Sequence, residues 1–369
     1  MARLTRAQQQ ERTRATVLAA ARQEFGEHGY ADAKVDRIAE RAELTRGAVY
    51  SNFPSKRALY LAVLVELVER GGSGRAKASS PGPAEALAAF ARAWLERLPL
   101  VGDPPASGHL QLRSLDGVVD DETGRTALAQ VTRLEALLLA LALEPRGPRH
   151  RGPVRRVRLA ELVLTLLHGS GHLAETAPGF GDPFDVARAC EYLAGIDLAD
   201  TWDPPHLAYV APARPCRDRW VPPAELPDQL SGRRAGLDAD GVLAVLGTTR
   251  LEAAEEAVRA ARPGDRVTVA VVTRDPAETG RLVRLRISDL TGCLRRVFAS
   301  DAWPWLQLVL DDRALLAAAV GLPDADDATE AAVRIRDGRI VARGEGRGAA
   351  HAAATAGASS AGRPHGAGT

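Results

Sequence analysis

The sequence predicts a multidomain protein with two all-α domains at the N-terminus and a small α/β domain after them. Three observations support this prediction. Apolar residues recur at helical spacing over most of residues 12–193, and prolines are then dense between residues 203 and 234. From Gly241 onward, short apolar runs alternate with amphipathic segments, as strands alternate with helices in an α/β domain.

Three short helices are predicted near the N-terminus. Residues 12–27 carry apolar side chains at helical spacing and are followed by Gly29, a residue that favours a helix stop. A second helix follows, and its apolar positions are Val35, Ile38, Ala39 and Ala42. Thr45 is a suitable N-cap for a third helix, which ends before Pro54.

The third helix has one face that can read DNA. Arg46, Gly47 and Tyr50 point outward, and the inward positions are apolar: Leu44, Ala48, Val49 and Phe53. Arg46 can form two hydrogen bonds with a guanine edge, Gly47 lets the helix approach the groove, and the Tyr50 hydroxyl can reach a phosphate. The alternative is a plain three-helix core with a solvated polar face.

The start of a fourth helix favours phosphate binding. Ser55 can cap this helix after Pro54, and Lys56 lies in its first turn, so free backbone N–H groups and an ammonium converge. Residues 1–57 hold 11 Lys and Arg against 7 Asp and Glu, a net charge of +4, whereas the whole chain is only +1. A basic segment on a nearly neutral protein is typical of a DNA-binding domain.

Residues 29–64 resemble the N-terminal DNA-binding domain of the TetR family of bacterial transcriptional regulators, and the resemblance extends over roughly residues 10–70. It implies a homodimer that binds a palindromic operator in double-stranded DNA, and a larger all-helical domain that binds a small-molecule effector. The predicted DNA-binding residues are Lys34, Thr45, Arg46, Gly47, Tyr50 and Lys56. Lys34 stands where the family usually has a small hydroxyl residue, and it can add a phosphate contact. Glu43 stands where the family usually has glycine, and a positive φ there costs about 1 kcal/mol.

The chain is longer than the roughly 200 residues that this resemblance requires, so we expect an additional domain. The predicted segments are a helix-turn-helix DNA-binding domain (1–70), an all-helical ligand-binding and dimerisation domain (71–200), a Pro-rich connector (201–235), an α/β domain (236–345) and a disordered tail (346–369). In the second domain, helices are expected at residues 84–98, 110–115, 122–143, 157–175 and 185–193. The resemblance assigns the last two of these helices to the dimer's four-helix bundle.

Seven residues are candidates for lining the effector cavity: Trp94, Leu112, Leu115, Leu134, Leu138, His168 and His172. Each apolar member of this set is equally consistent with plain core packing. His168 and His172 stand at i and i+4, a spacing that suits a metal, but only Glu175 is available to complete a set. We therefore predict neither a metal site nor a cofactor, and the sequence does not name the effector.

Composition excludes several classes of protein. The longest apolar run, residues 136–143, is far shorter than the ~20 residues of a membrane helix, and the N-terminus lacks the pattern of a signal peptide. Cys190, Cys216 and Cys293 are widely spaced, which argues against a disulfide framework and a structural zinc site. We expect a cytoplasmic, nucleoid-associated protein without a membrane partner.

The predicted α/β domain contains strands at residues 242–246, 267–272 and 305–310, helices at 250–261, 276–287 and 314–320, and a hairpin across Asp337-Gly338. This order resembles thioredoxin-like domains, especially peroxiredoxins. The reactive cysteine of that fold would fall within residues 247–250 and its proline near Ala328-Thr329, and both are absent here. We therefore predict a fold without thiol catalysis, and no enzyme activity.

The function that we predict is a ligand-responsive dimeric repressor, released from its operator by a small molecule. One alternative is a regulator whose C-terminal domain docks a partner protein. Another is a redox sensor that acts through Cys293, with Arg295 and Arg296 close enough to lower the pKa of its thiol.

Overall fold

The computed structural model describes residues 5–71, 82–98, 114–144, 154–223, 226–299 and 302–357. These residues divide into two compact units. The helical unit comprises Met1–Trp202, Gln229–Gly232 and Thr273–Pro304, and the sheet unit comprises Asp203–Asp228, Arg233–Val272 and Trp305–Thr369.

The helical unit is built from nine described helices. They are α1 (Arg6–Asp32), α2 (Val35–Arg41), α3 (Arg46–Asn52), α4 (Lys56–Gly71), α5 (Pro83–Leu95), α6 (Glu122–Leu143), α7 (Val157–Thr176), α8 (Pro183–Leu193) and α10 (Thr279–Val297). In α1 the helical backbone is interrupted at Gly29, whose φ is 67°, as its sequence position predicts.

One apolar core joins the first four helices. Val17 and Phe25 of α1, Ile38 of α2 and Phe53 after α3 are all completely buried, and they pack around α4. The ring of Phe25 meets that of Tyr60 edge to face, with centroids 4.9 Å apart. Residues 58–65 of α4 are buried on every side of the helix. A helix buried on all sides needs neighbours in addition to α1.

The additional neighbour of α4 is α10, which the sequence assigned to the C-terminal α/β domain. This assignment is wrong, because α10 packs against α4, α5 and α6 and belongs to the helical unit. Leu282 and Leu285 of α10 lie in the same core as Val17 and Phe25. The helical unit therefore takes one of its helices from residues that follow the third strand of the sheet unit.

The described residues of the sheet unit form six strands and three α-helices. They are β1 (Arg214–Arg219), β2 (Gly241–Gly247), α9 (Ala254–Ala260), β3 (Arg266–Val272), β4 (Leu306–Leu310), α11 (Leu315–Ala319), β5 (Glu330–Arg336), β6 (Arg339–Glu345) and α12 (Ala349–Thr355). The strand order is β1-β6-β5-β2-β3-β4; β2, β3 and β4 run parallel, whereas β5 pairs antiparallel with β2, and β6 with β5. The all-helical N-terminal region and the mixed C-terminal sheet with helices confirm the coarse fold prediction.

Three local predictions are wrong. The predicted connector 201–235 contains β1, because a proline such as Pro215 is tolerated in an edge strand, and its Trp220 and Leu226 are buried in the sheet-unit core. The tail predicted to be disordered from residue 346 contains α12, whose alanines are small enough to pack closely on β5 and β6. Ser114 and Leu115, expected in a helix, are not helical, and residues 110–113 of that prediction lie outside the described residues.

Among the described residues, α6 alone is long and apolar enough to cross a membrane by length and composition. In the most apolar 18-residue segment of α6, 67% is buried within the fold, as in the core helix of a folded domain.

Candidate DNA-binding surface and effector cavity

The turn between α2 and α3 has the geometry that the sequence predicts. Glu43 adopts a φ of 54°, the left-handed conformation expected where glycine is usual. Thr45 caps α3, because its hydroxyl accepts a hydrogen bond of 3.2 Å from the backbone N–H of Ala48. After α3, Ser55 caps α4 in the same way, accepting from the N–H of Ala58 at 2.9 Å. The helix-turn-helix is thus fixed largely by local interactions.

The two faces of α3 differ as expected. Thr45, Arg46, Gly47 and Tyr50 are exposed, whereas Val49 is 1% exposed and contributes to the core. Gly47 is explained neither by backbone conformation nor by packing, since among the described residues outside its own helix backbone an added Cβ would meet only the Thr45 hydroxyl, at 3.9 Å. A glycine without a role in the folded chain, on an exposed helix face, leaves room for another molecule to approach.

Arg46 is held above the surface by neighbouring side chains. Its guanidinium lies 3.3 Å from the carboxylate of Asp36 and 5.5 Å from the centre of the Tyr50 ring. Both members of the ion pair are largely exposed, so water screens the attraction. Arg46 can therefore leave Asp36 at little cost and turn toward a nucleic-acid base.

The two predicted lysines occupy different environments. Lys34 is exposed, and its backbone N–H donates to the carboxylate of Glu24 at 3.1 Å. Lys56 is half-buried, with its ammonium 3.0 Å from the carbonyl oxygen of Ala31 and 4.9 Å from the centre of the Tyr30 ring. Burial lowers the pKa of Lys56. Its ammonium is thus engaged within the protein and has to turn outward to contact a phosphate.

Sequence reasoning missed the role of Glu24. This carboxylate is completely buried, accepts from the N–H of Lys34 and lies 3.3 Å from Nε of Arg41. It therefore joins α1 to both ends of α2. Glu24, Glu27 and His28 are close enough together to share a metal ion, but the Arg41 guanidinium already binds both carboxylates. Nothing in the sequence distinguishes this buried glutamate from a solvated one.

A cavity of about 430 Å³ lies within the helical unit. Its apolar lining includes Trp94, Leu98 and Leu167, and α10 contributes Leu285, Arg286 and Asp289. Such a cavity falls within the range of small-molecule sites, although its lining is more polar than most. The residues from α10 were missed because they follow residue 236, beyond the region expected to be helical.

The predicted effector residues divide into three groups. Trp94, Leu115, His168 and His172 line the cavity, whereas Leu134 and Leu138 are buried core residues away from its lining. Leu112 lies outside the described residues. The apolar spacing of α6 predicts that these two leucines are buried, but spacing cannot distinguish a core position from a cavity wall.

Two sets of charged side chains lie at the wall of the cavity. Arg286 pairs with the buried Glu135 of α6 and donates to Nε2 of His168 at 2.7 Å. Arg97 pairs with Asp289 and stacks on the Trp94 ring, with its guanidinium carbon 3.8 Å from the ring centre. Within the described residues, Nε of Arg286 and Oε1 of Glu135 have no hydrogen-bond partner. Nε2 of His168 is engaged by Arg286 and is therefore not available to a metal ion in this arrangement.

His168 makes the stability of the helical unit depend on pH. Burial and the positive charges of Arg286 and Arg97 lower the pKa of His168 from 6.5 to about 3. As pH falls from 6.5, the unfolded chain takes up a proton that the folded state excludes, so stability present above pH 6.5 is lost progressively. We expect His168 to reduce the free energy of unfolding by about 2 kcal/mol between pH 6.5 and 5.

Denaturant unfolding at pH 7 and pH 5 measures this effect. The variant His168→Gln, whose amide oxygen can still accept from Arg286, should lose less stability on acidification than the wild type. His172→Gln is the matched control, because His172 is exposed and four residues away. Equal pH dependence in His168→Gln and wild type would show that His168 is not held neutral.

The first turn of α10 and the residue before it contact the start of α4 and the residue that follows α3. Glu278, just before α10, accepts from the Ser55 hydroxyl and lies 2.8 Å from Nε of Arg57. Arg281 donates to the carbonyl oxygen of Ala58 at 2.9 Å and lies 5.5 Å from the centre of the Phe53 ring. One continuous helix therefore contacts both the start of α4 and the cavity.

The proposed redox residue is buried. Cys293 is 3% exposed on α10, and its thiol lies 3.8 Å from the carbonyl oxygen of Ala93. Arg295 binds the carbonyl oxygen of Leu230, and Arg296 binds Glu96. In the sheet unit, the place expected for a reactive cysteine is occupied by Thr248, whose hydroxyl donates to Asp327 at 2.6 Å.

Comparisons with known proteins agree with the geometry of α1–α4. Residues 17–63 match the profile of the family described as bacterial regulatory proteins, tetR family. No curated protein matches the chain.

Solved structures of TetR regulators align with about half of the chain. One from Rhodococcus sp. RHA1 is 22% identical over 50% of this chain and 97% of its own, with a TM-score of 0.32. One from Pectobacterium atrosepticum is 27% identical over 52% and 93%, with a TM-score of 0.29. One from Cytophaga hutchinsonii is 18% identical over 53% and 99%, with a TM-score of 0.35. The profile match and the geometry of the N-terminal helices show that residues 17–63 form a helix-turn-helix domain similar to that of bacterial regulatory proteins of the tetR family.

Proposed function

We propose that the protein is a cytoplasmic, nucleoid-associated dimeric repressor that a small molecule releases from a palindromic operator. The observation that carries this proposal is the exposed face of α3, where Arg46, Gly47 and Tyr50 stand over a buried Val49. Arg46 reads a base edge, Tyr50 contacts the backbone, and Gly47 permits close approach.

The cavity is the effector site in this proposal, and α10 links it to the DNA-binding helices. Arg286 and Asp289 of α10 line the cavity, whereas Glu278 and Arg281, one to three turns earlier, hold Ser55, Arg57 and the carbonyl of Ala58. An effector that displaces Arg286 from Glu135 would move α10 and the start of α4 together. Repression is then relieved because the spacing of the two α3 helices changes.

An exposed apolar surface on α7 and α8 supports the proposed dimer. Leu162 and Leu173 lie on the outer face of α7, with Gly169 between them, and Phe184 and Tyr192 lie two turns apart on α8. Among the described residues, no atom outside Gly169, its chain neighbours and its own helix backbone lies within 4 Å of the position of a Cβ there, so a partner helix has room to approach. Helices α7 and α8 pack against each other, and large apolar side chains exposed on neighbouring helices are typical of a protein interface.

The sheet unit is, in this proposal, a thioredoxin-like domain without thiol chemistry. Support comes from the strand order. On one side, β2 pairs in parallel with β3; on the other side, it pairs antiparallel with β5, which forms a hairpin with β6. In chain order, β2, α9 and β3 form a β-α-β motif, and β5, β6 and α12 form a β-β-α motif.

DNA recognition is tested by selecting an operator from random duplexes with the full-length protein, followed by footprinting. We expect a symmetric protected site. Arg46→Ala should weaken binding to that site by about 1–3 kcal/mol and relax base preference at one position in each half-site. Lys56→Ala should weaken binding to all sequences and lower the salt-dependence slope by about one unit.

Arg313→Ala is the control for these measurements, because Arg313 is an exposed arginine in the sheet unit. Its affinity for the operator should equal that of the wild type. The proposal fails if no symmetric site is protected, or if Arg46→Ala and Arg313→Ala behave alike.

A further inference from the structure

A second cavity, of about 750 Å³, lies within the sheet unit. Three residues aligned across neighbouring strands line it: Pro215 of β1, Ala342 of β6 and Arg334 of β5. The segment before β1 contributes Val210 and Pro212, and α12 closes another side. The volume falls within the range of small-molecule sites.

The walls of this cavity are fixed by close packing. Gly348, at the start of α12, has a φ of 82°, and an added Cβ would lie 2.5 Å from Val210, so only glycine allows this contact. At the other end of α12, Arg334 donates to the carbonyl oxygen of Ala354 at 2.8 Å, and Arg262 donates to that of Thr355 at 3.1 Å. These contacts hold α12, one wall of the cavity, in place against the rest of the sheet unit.

The charges around the cavity are unbalanced. Arg334 is buried and pairs with Asp265 at 2.9 Å, whereas Arg336, two residues along the same strand, is exposed. The described lining contains the guanidiniums of Arg334 and Arg336 and the His351 imidazole, but no carboxylate. Arg262 donates its backbone N–H to Asp265 at 2.8 Å, and burial and the positive charges of Arg334 and Arg336 lower the pKa of its guanidinium.

We infer that this cavity binds a small organic anion: a carboxylate with an apolar body. The carboxylate faces Arg336, which is the exposed cation of the lining. The apolar body occupies the space beside Pro212, Pro215 and Val341. A carboxylate supplies the negative charge that the described lining lacks, and hydrogen bonds from a guanidinium to a carboxylate are among the stronger ones in proteins. This site is separate from the effector cavity of the helical unit.

The test uses the full-length protein with n-octanoate as the probe and n-octanol as its uncharged counterpart. Calorimetry should show saturable binding of octanoate and markedly weaker binding of octanol. Arg336→Gln should weaken octanoate binding about tenfold or more, because one charge-assisted interaction is lost. Arg336→Lys should retain most of the affinity, since the positive charge remains.

Arg313→Gln is the matched control, because it removes an exposed guanidinium elsewhere in the sheet unit. Arg336 is exposed, so unfolding curves of its variants should equal that of the wild type. Equal affinity for octanoate and octanol overturns the assignment of an anion. Octanoate binding that Arg336→Gln leaves unchanged, or that Arg313→Gln weakens equally, overturns the assignment of the site.

Discussion

Replacing Leu282 by Ala is expected to destabilise the helical unit by about 2–5 kcal/mol, although residue 282 lies in the C-terminal half of the sequence. Leu282 is 1% exposed on α10 and shares a core with Val17, Phe25 and Ile38. The cavity left by the substitution opens next to α4, so the loss should appear as faster hydrogen exchange in the DNA-binding helices. Mass spectrometry of exchanging peptides from residues 17–71 measures it.

Leu316→Ala provides the matched control. Leu316 is completely buried, but its core is that of the sheet unit. The same loss of volume there should leave exchange in residues 17–71 unchanged.

Shortening the chain after residue 235 removes α10 altogether and should give an aggregated product, because the apolar surfaces of α4 and α6 lose their cover. A stable, folded product of that truncation would contradict the role assigned to α10.

The helix-turn-helix was predictable from sequence because its determinants are local. The Thr45 cap, the apolar spacing around Val49 and the position of Pro54 all act within one or two turns, and the structure reproduces each of them. Even the strained residue was identified, since Glu43 adopts the positive φ expected in place of glycine. Short-range rules therefore fix both the fold and the exposed face of this segment.

The placement of α10 was not predictable in the same way. The sequence predicts a helix at residues 276–287, which the structure places at Thr279–Val297, but spacing does not show which surface its apolar side covers. One signal was present, because Ala58–Val65 of α4 is apolar around the whole helix and so requires partners on several sides. The charge pairs of the cavity had no comparable signal, since Glu135 and Arg286 are 151 residues apart.

Introducing a charge at Tyr192 is expected to convert the proposed dimer into a monomer. Tyr192 is 74% exposed and Phe184 is 77% exposed on α8, which packs against α7, the helix that carries the exposed Leu162 and Leu173. In a dimer formed through this surface, Tyr192→Glu would bury an unpaired carboxylate, and the desolvation penalty of several kcal/mol exceeds what the remaining contacts can offset. Light scattering at micromolar concentration should report half the mass of the wild type.

Tyr209→Glu is the control, since Tyr209 is 85% exposed in the sheet unit and the substitution changes charge and size identically. That variant should remain dimeric. Because a palindromic operator engages two DNA-binding domains at once, Tyr192→Glu should also lose about 100-fold or more in operator affinity, while its binding to a single half-site stays unchanged. Monomeric wild-type protein, or a dimer that survives Tyr192→Glu, would place the interface elsewhere. The half-site measurement separates the two causes of weak binding, since damage to α3 would lower the affinity for the half-site as well.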